Sequence, residues 1–230
     1  MLILCIERKI IITADGSHSV EIPDMQVAYH SKYGAIQESL HVFIEAGLRE
    51  SVRSERQDPL RILEIGLGTG LNVLLTMIES RKIRERISYT AIEPFPLTDT
   101  EFRQLNYCMQ LEKQELQPLF EELHSCEWEK DIQIIPGFTV HKIMAGLVNF
   151  STNQFFNLIY FDAFAPGAQP ELWTKEIFEK LFSMMAFNGI LVTYCSKGEV
   201  RRAMLAAGFS VEKLAGPRGK REMIRARKLL

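Results

Sequence analysis

The sequence predicts an α/β domain: a Rossmann-like, mostly parallel sheet of seven strands with helices on both faces, carrying an N-terminal β-hairpin extension. Three observations predict it. From Arg61 onward, short apolar runs alternate with longer amphipathic ones, the pattern of a parallel sheet covered on both faces. The first run ends in glycines at alternate positions, Gly66, Gly68 and Gly70, ahead of the helix-forming residues Leu71 to Ile78. The next run, Ile87 to Ile92, ends on an acid, Glu93.

The elements follow in chain order. Residues 3–13 read as a strand, Asp15-Gly16 as a hairpin turn, and the residues around Val20 as its second strand. Tyr29 to Ser39 is polar and turn-like, Leu40 to Leu48 is a helix, and Arg49 to Pro59 is a charged connector. The expected division is an extension over 1–58 and a Rossmann-like domain over 59–230, forming one structural unit. Strands are expected at 61–65, 87–92, 131–135, 157–161, 189–195, 209–214 and 221–227. Helices are expected near 70–80, 97–106, 112–123, 139–147, 171–184 and 198–207.

Composition bounds the function. At 230 residues, 47% hydrophobic and 24% charged, the chain has the make-up of a globular domain with room for one core. No apolar run nears the roughly 20 residues of a membrane span. The apolar start before Glu7 and Arg8 is too short for a secretory leader, so a cytoplasmic location and no membrane partner are expected. Cys5, Cys108, Cys126 and Cys195 are scattered and the five histidines show no ligand spacing, so no metal is expected. The net charge of −2 hides an asymmetry: residues 197–230 carry +7 and the rest −9. A basic tail suits a phosphate-bearing partner or, equally, a solvated edge strand guarded by lysine and arginine.

The glycine loop selects a cofactor. Dinucleotide sites use G-x-G-x-x-G. Here the spacing is E-x-G-x-G-x-G from Glu64 to Gly70, the form usual among S-adenosylmethionine (AdoMet) enzymes. Glycine permits positive φ and close backbone approach at such a turn. Glu93, at the next strand end, is placed to accept hydrogen bonds from ribose hydroxyls. Glu64 is a candidate for the methionine ammonium. The run Asn157 to Phe161 ends in Asp162-Ala163-Phe164-Ala165-Pro166, so a carboxylate faces the crevice where amine methylation needs a neutral nitrogen. Asp162 is the candidate catalytic residue, with Phe164 or Tyr160 offering a π-face to a cation or a base. The plainer alternative is that Asp162 caps the turn and Phe164 is core.

The stretch DAFAPGAQPELWT, Asp162 to Thr174, resembles the signature of the tRNA 5-methylaminomethyl-2-thiouridine methyltransferase family, which occurs alone (MnmD) or as the methyltransferase half of the bifunctional MnmC. Glu93-Pro94-Phe95-Pro96-Leu97-Thr98, Val200-Arg201-Arg202, Ala207-Gly208-Phe209 and Gly219-Lys220-Arg221-Glu222-Met223 resemble further family motifs. So do Tyr29, Ser31, Gly34 and Glu38; together the matches cover about residues 10–227. The resemblance implies a class I AdoMet-dependent methyltransferase that methylates the exocyclic amine of 5-aminomethyl-(2-thio)uridine at the tRNA wobble position. It implies the tRNA anticodon stem-loop as partner, a separate upstream wobble-modification enzyme, and no FAD-dependent oxidase step. The cofactor set it implies is Glu64, Gly66, Gly68, Gly70, Asn72, Glu93, Pro94, Gly137, Phe138 and Tyr29. The substrate set is Phe164, Lys220, Arg221, Arg201 and Arg202. In one departure, Gly137-Phe138 stands where the family often has Gly-Asp, leaving open either stacking of Phe138 on adenine or no acid contact there.

Two other functions compete. A small-molecule methyltransferase or aminopropyltransferase-like enzyme would keep the glycine loop and Glu93 without needing the basic tail. A non-catalytic AdoMet- or RNA-binding module would not need Asp162. The glycine spacing disfavours a nicotinamide oxidoreductase.

Overall fold

The computed structural model describes residues 7–54 and 58–229. The start of the predicted first strand, Cys5 and part of the charged connector lie outside them.

The chain opens with a small antiparallel sheet of β1 (Lys9–Ile12), β2 (His18–Ile22) and β3 (Val27–Ala28). Its turn is closed by Asp15, whose Oδ1 accepts from Ser17 N at 3.0 Å. A continuous helical segment follows: α1 (Ala35–Ser39), a π-type stretch (Leu40–Arg49) and α2 (Glu50–Ser54). Gly47 lets this segment lie close on the main sheet. A Cβ there would come within 2.9 Å of Val192 and 3.2 Å of Tyr160.

The main sheet contains β4 (Leu60–Ile65), β5 (Ile87–Ile92), β6 (Asp131–Ile135), β7 (Phe138–Ile143), β8 (Phe156–Phe161), β9 (Met185–Thr193), β10 (Ser210–Ala215) and β11 (Glu222–Arg227). The order across it is β10-β11-β9-β8-β4-β5-β7-β6. The strands from β7 through β9 run parallel, and the two edges are antiparallel. Alternate residues feed two cores. Ile62, Leu158 and Tyr160 pack on one face of the sheet. Leu63, Ile159 and Phe161 pack on the other. A sheet buried on both faces explains why its central strands are apolar throughout.

The helices are α3 (Leu71–Ile83), α4 (Asp99–Phe102), α5 (Tyr107–Gln110), α6 (Gln117–Ser125), α7 (Lys175–Ser183) and α8 (Gly198–Ala206). Of the expected helix at 97–106 only the short α4 forms; the chain then turns, and α5 begins beyond that range at Tyr107. The helix expected at 112–123 starts later: Glu112 takes a positive φ of 54°, and Pro118 opens α6.

One expectation fails outright. Residues 139–147 are not a helix: β7 runs through Ile143, and the sheet has eight strands rather than seven. Phe138, Val140 and Lys142 are all buried, with more exposed residues between them, which is a strand's alternation. A charged residue, Lys142, stands on the buried face of this strand. This lysine is fully buried, its Nζ donating to the His124 carbonyl and lying 4.6 Å from the centre of the Trp128 ring. The third parallel strand of the fold is therefore β7, and the strand at 131–135 is an added antiparallel edge.

Candidate active site

The order of strands reverses direction at β4, whose neighbours are β5 and β8, and a cavity of about 410 Å³ opens beyond the carboxyl ends of these strands. Its size suits a small organic ligand. The loop after β4 forms one wall. Gly66, Gly68 and Gly70 have φ of +88°, +51° and +72°. A different neighbour presses on each. A Cβ on Gly66 would lie 3.1 Å from the Asp162 carbonyl oxygen, one on Gly68 2.9 Å from the Tyr29 ring, and one on Gly70 2.6 Å from His124 Nε2. Gly66 and Gly68 line the cavity; Gly70 does not, and serves the packing of α6 against the loop.

Glu93 leaves β5 and ties the loop down. Its Oε2 accepts from Gly68 N at 3.0 Å and its Oε1 from Phe95 N at 2.8 Å. Burial raises its pKa, against those two amides, which favour the charged form. Arg8 braces the same segment from the N-terminal extension, donating to the carbonyls of Phe95 and Pro96 and pairing with Glu101. Pro94 lines the cavity beside Glu93.

Asp162 emerges from β8 on the opposite side. Its Oδ2 accepts from Asn72 Nδ2 at 2.9 Å, and the same nitrogen donates to Glu64 Oε1 at 3.0 Å. Asn72 thus bridges two carboxyls. Burial pushes Asp162 up to about 7; the neighbouring Glu38 charge adds to the rise, while the Asn72 hydrogen bond and Lys220 oppose it. Burial holds Glu64 well above the usual carboxylate range. Glu64 is fully buried and absent from the cavity lining; Asn72 holds its Oε1, and its Oε2 is a buried acceptor without a partner.

Aromatic and apolar groups complete the walls. The Tyr29 ring meets Phe164 edge-on at 5.1 Å. Trp173 Nε1 donates to the Phe164 carbonyl at 2.8 Å, and Gln169 Oε1 accepts from Phe164 N at 3.0 Å. These bonds fix the loop after Asp162. His30, pressed to about pKa 4 by burial, hydrogen-bonds Thr69 Oγ1 at 2.7 Å through Nε2. Sequence reasoning missed His30. Its place next to Tyr29 was the available signal.

Gly137 and Phe138 are corrected. Phe138 pairs with Ile87 at the amino end of β5, the end of the sheet remote from the cavity, and is fully buried against Tyr89. The segment that reaches the cavity is Ala145 to Asn149, past the carboxyl end of β7. Taking 131–135 as the third parallel strand placed this site one strand too early.

The basic residues fall into two groups. Lys213, Arg225 and Arg227 pair with Glu222, Glu212 and Glu50. Arg201, Arg202, Arg218 and Arg221 form no ion pair among the described residues, and all but the half-buried Arg201 are exposed. Lys220 is pinned to Glu38. Among the described residues no cluster of His, Cys, Asp or Glu suits a metal, and no helix is long and apolar enough to cross a membrane.

The site fits AdoMet on this chain's own features. Asn72 Oδ1 is a buried acceptor without a partner, as an ammonium would require. Glu93 and the Gly66 to Thr69 backbone rim a cavity whose walls combine apolar groups such as Leu71, Ile92 and Leu147 with polar ones, Asn72 and Asp162 among them.

Comparison with known proteins agrees. Residues 120–229 match the family described as S-adenosyl-L-methionine-dependent methyltransferase. The chain is 29% identical over 210 residues to the tRNA 5-methylaminomethyl-2-thiouridine biosynthesis bifunctional protein MnmC of Methylobacillus flagellatus, covering 85% of this chain and 32% of that protein. It is 32% identical over 213 residues to the protein of that name from Ectopseudomonas mendocina, covering 85% and 31%. The chain thus spans about a third of the length of these curated relatives. The crystal structure of MNMC2 from Aquifex aeolicus superimposes with a TM-score of 0.79 at 24% identity, over 96% of this chain and 69% of that one, which shows the shared fold.

Proposed function

We infer that this chain, whose residues 120–229 match the family described as S-adenosyl-L-methionine-dependent methyltransferase, methylates the exocyclic amine of 5-aminomethyl-(2-thio)uridine at the wobble position of tRNA. The product is the 5-methylaminomethyl nucleoside that the names of the curated relatives contain. The observation that carries this reading is Asp162: a carboxylate at the carboxyl end of β8, facing the cavity across from the glycine loop.

AdoMet, when bound, supplies an electrophilic methyl group on a sulfonium. The chain's part is to present an amine with a free lone pair. A primary alkylamine is mostly protonated at neutral pH and must lose a proton before or as the N–C bond forms. Asp162, titrating near 7, can hold the ammonium as a carboxylate and take up its proton, directly or through a water. Asn72 keeps that carboxylate in place. Phe164 and Tyr29 offer a wall on which a flipped-out base can stack, the usual mode for a base taken from an RNA loop. Arg201, Arg202 and Arg221 supply charges for tRNA phosphates. A tRNA substrate supports a cytoplasmic location, and a separate enzyme would supply the aminomethyl group.

The test is nucleoside mass spectrometry of tRNA bearing 5-aminomethyl-2-thiouridine, incubated with protein and AdoMet. Conversion to the methylaminomethyl nucleoside is expected. Folded, AdoMet-binding protein that leaves this tRNA untouched but methylates free amines would replace the reading with the small-molecule alternative.

A further inference from the structure

Lys220 and Glu38 lie 182 residues apart in sequence and meet in an ion pair. Glu38 sits on α1 and is only 6% exposed. One carboxylate oxygen takes Lys220 Nζ; the other accepts from Ser31 N at 2.8 Å. A buried carboxylate left unpaired is strongly unfavourable, so this contact is a requirement of Glu38, not a chance surface pair. The ammonium of Lys220 also lies 3.8 Å from the centre of the Tyr194 ring. The Tyr194 hydroxyl donates at 2.8 Å to the carbonyl of Ala163, the residue that follows Asp162. The chain of contacts therefore runs Ser31, Glu38, Lys220, Tyr194, Ala163, and ends on the loop that carries the candidate catalytic carboxylate.

We propose that Glu38 and Lys220 are a positioning pair for Asp162: they fix the Asp162 loop through Tyr194 and set one negative and one positive charge beside its carboxylate. The proposal rests on the reading of Asp162 given above. It reassigns Lys220, expected from the sequence to bind substrate, to a role exerted through another residue. Its ammonium is committed to Glu38 and the Tyr194 face instead of standing free for a phosphate.

The groups facing Asp162 come from every side. Glu64 from β4 approaches through Asn72 of α3, Glu38 comes from α1, and Lys220 from the turn before β11. Tyr89 of β5, Tyr107 of α5 and Tyr194 after β9 are further titratable neighbours, whose hydroxyls burial holds neutral, and His30, which feels Glu38 and Lys220, is pressed to about 4 by burial. Within this set Glu38 raises and Lys220 lowers the proton affinity of Asp162. Removing one or the other must therefore move it in opposite directions. Simple loosening of the wall, which admits water, would lower it in both cases.

The experiment is carboxyl-carbon NMR titration of Asp162, its resonance identified by its disappearance in Asp162→Asn, in the full chain without substrate. Glu38→Gln should lower the midpoint by about one pH unit and Lys220→Met should raise it by about as much. Lys220→Arg, which keeps the charge, should stay near wild type, and the double variant Glu38→Gln/Lys220→Met should return toward it. In methyl transfer, the acid limb of the single-turnover rate should follow the same order. Movement of both single variants in one direction, or of neither, overturns the proposal. If Glu38→Gln does not fold, the opposite behaviour of Lys220→Met and Lys220→Arg still decides it. A wild-type protein inactive on tRNA would refute the functional reading, while the titration would still rule on the pair.

Discussion

Two charged regions of this molecule behave in opposite ways. In and around the crevice Glu38, Glu64 and Glu93 are buried and Asp162 is half-buried; α8 and the turn between β10 and β11 hold Arg202, Arg218 and Arg221 in solvent. Burial makes each crevice charge expensive, so each has a named partner: Asn72 for Glu64 and Asp162, two backbone amides for Glu93, and Lys220 for Glu38. The exposed arginines need none, because water solvates them. Buried charge therefore sets proton affinities and geometry, while exposed charge acts over distance, is screened by salt and selects a partner.

Substitutions should separate the two regions, most sharply at Asp162. Asp162→Ala should slow single-turnover methyl transfer by about 10²- to 10⁴-fold, the range of a general base, with tRNA binding retained. Asp162→Asn should keep more activity than Ala if orientation is the larger share. In wild type the rate should fall as pH drops below about 7, where the carboxyl takes up its proton. Stability gives an independent sign. The folded-state pKa lies above the unfolded value, so ionisation of Asp162 disfavours the fold as pH rises from about 4 to about 7. Asp162→Asn should accordingly melt at a higher temperature than wild type at pH 8, with the gap closing toward pH 4. Near-wild-type rates in both variants would reduce Asp162 to a turn residue.

The glycine loop divides within the crevice itself. Gly68→Val should abolish AdoMet binding by calorimetry, because its side chain drives into Tyr29 at the cavity wall and its positive φ resists a branched residue. Gly70→Ala collides with His124 outside the cavity; it should cost stability and leave the folded fraction able to bind. Equal binding losses would erase this distinction.

A smaller effect is expected at Glu93. Glu93→Ala should weaken AdoMet roughly tenfold, the loss of a hydrogen bond to a charged group, partly because Gly68 N and Phe95 N lose their acceptor. An unchanged Kd would exclude a ribose contact there.

The basic face should respond last and differently. Charge reversal at Arg201, Arg202 and Arg221 should raise the KM for tRNA and leave AdoMet affinity alone. It should also flatten the salt dependence, by about one in log–log slope for every phosphate that is no longer neutralised. If tRNA kinetics do not move, these arginines are only solvated surface charges, as Lys213 and Arg225 are only structural ones in their ion pairs.

Local chemistry was legible in the sequence because it is written in residues close together. Leu60 to Ile65 and Ile87 to Ile92 are unbroken by charge except at Arg61 and Glu64, the glycines sit where positive φ is needed, and Glu93 and Asp162 mark strand ends that face one crevice. What the sequence could not carry was the partner of each buried charge. Residues 139–147 read as a helix until His124 and Trp128 enclose Lys142 in a strand, and with 131–135 taken as the third parallel strand Gly137 and Phe138 were misplaced. Glu64 reads as a strand-end acid, and only the fold shows it fully buried with Asn72 as the partner of one carboxylate oxygen. Lys220 reads as a free cation until Glu38, from the other end of the chain, claims it. Periodicity and turn chemistry act over a few residues and so survive in one dimension. The worth of a buried charge depends on desolvation and on a neighbour that only the folded chain brings within reach.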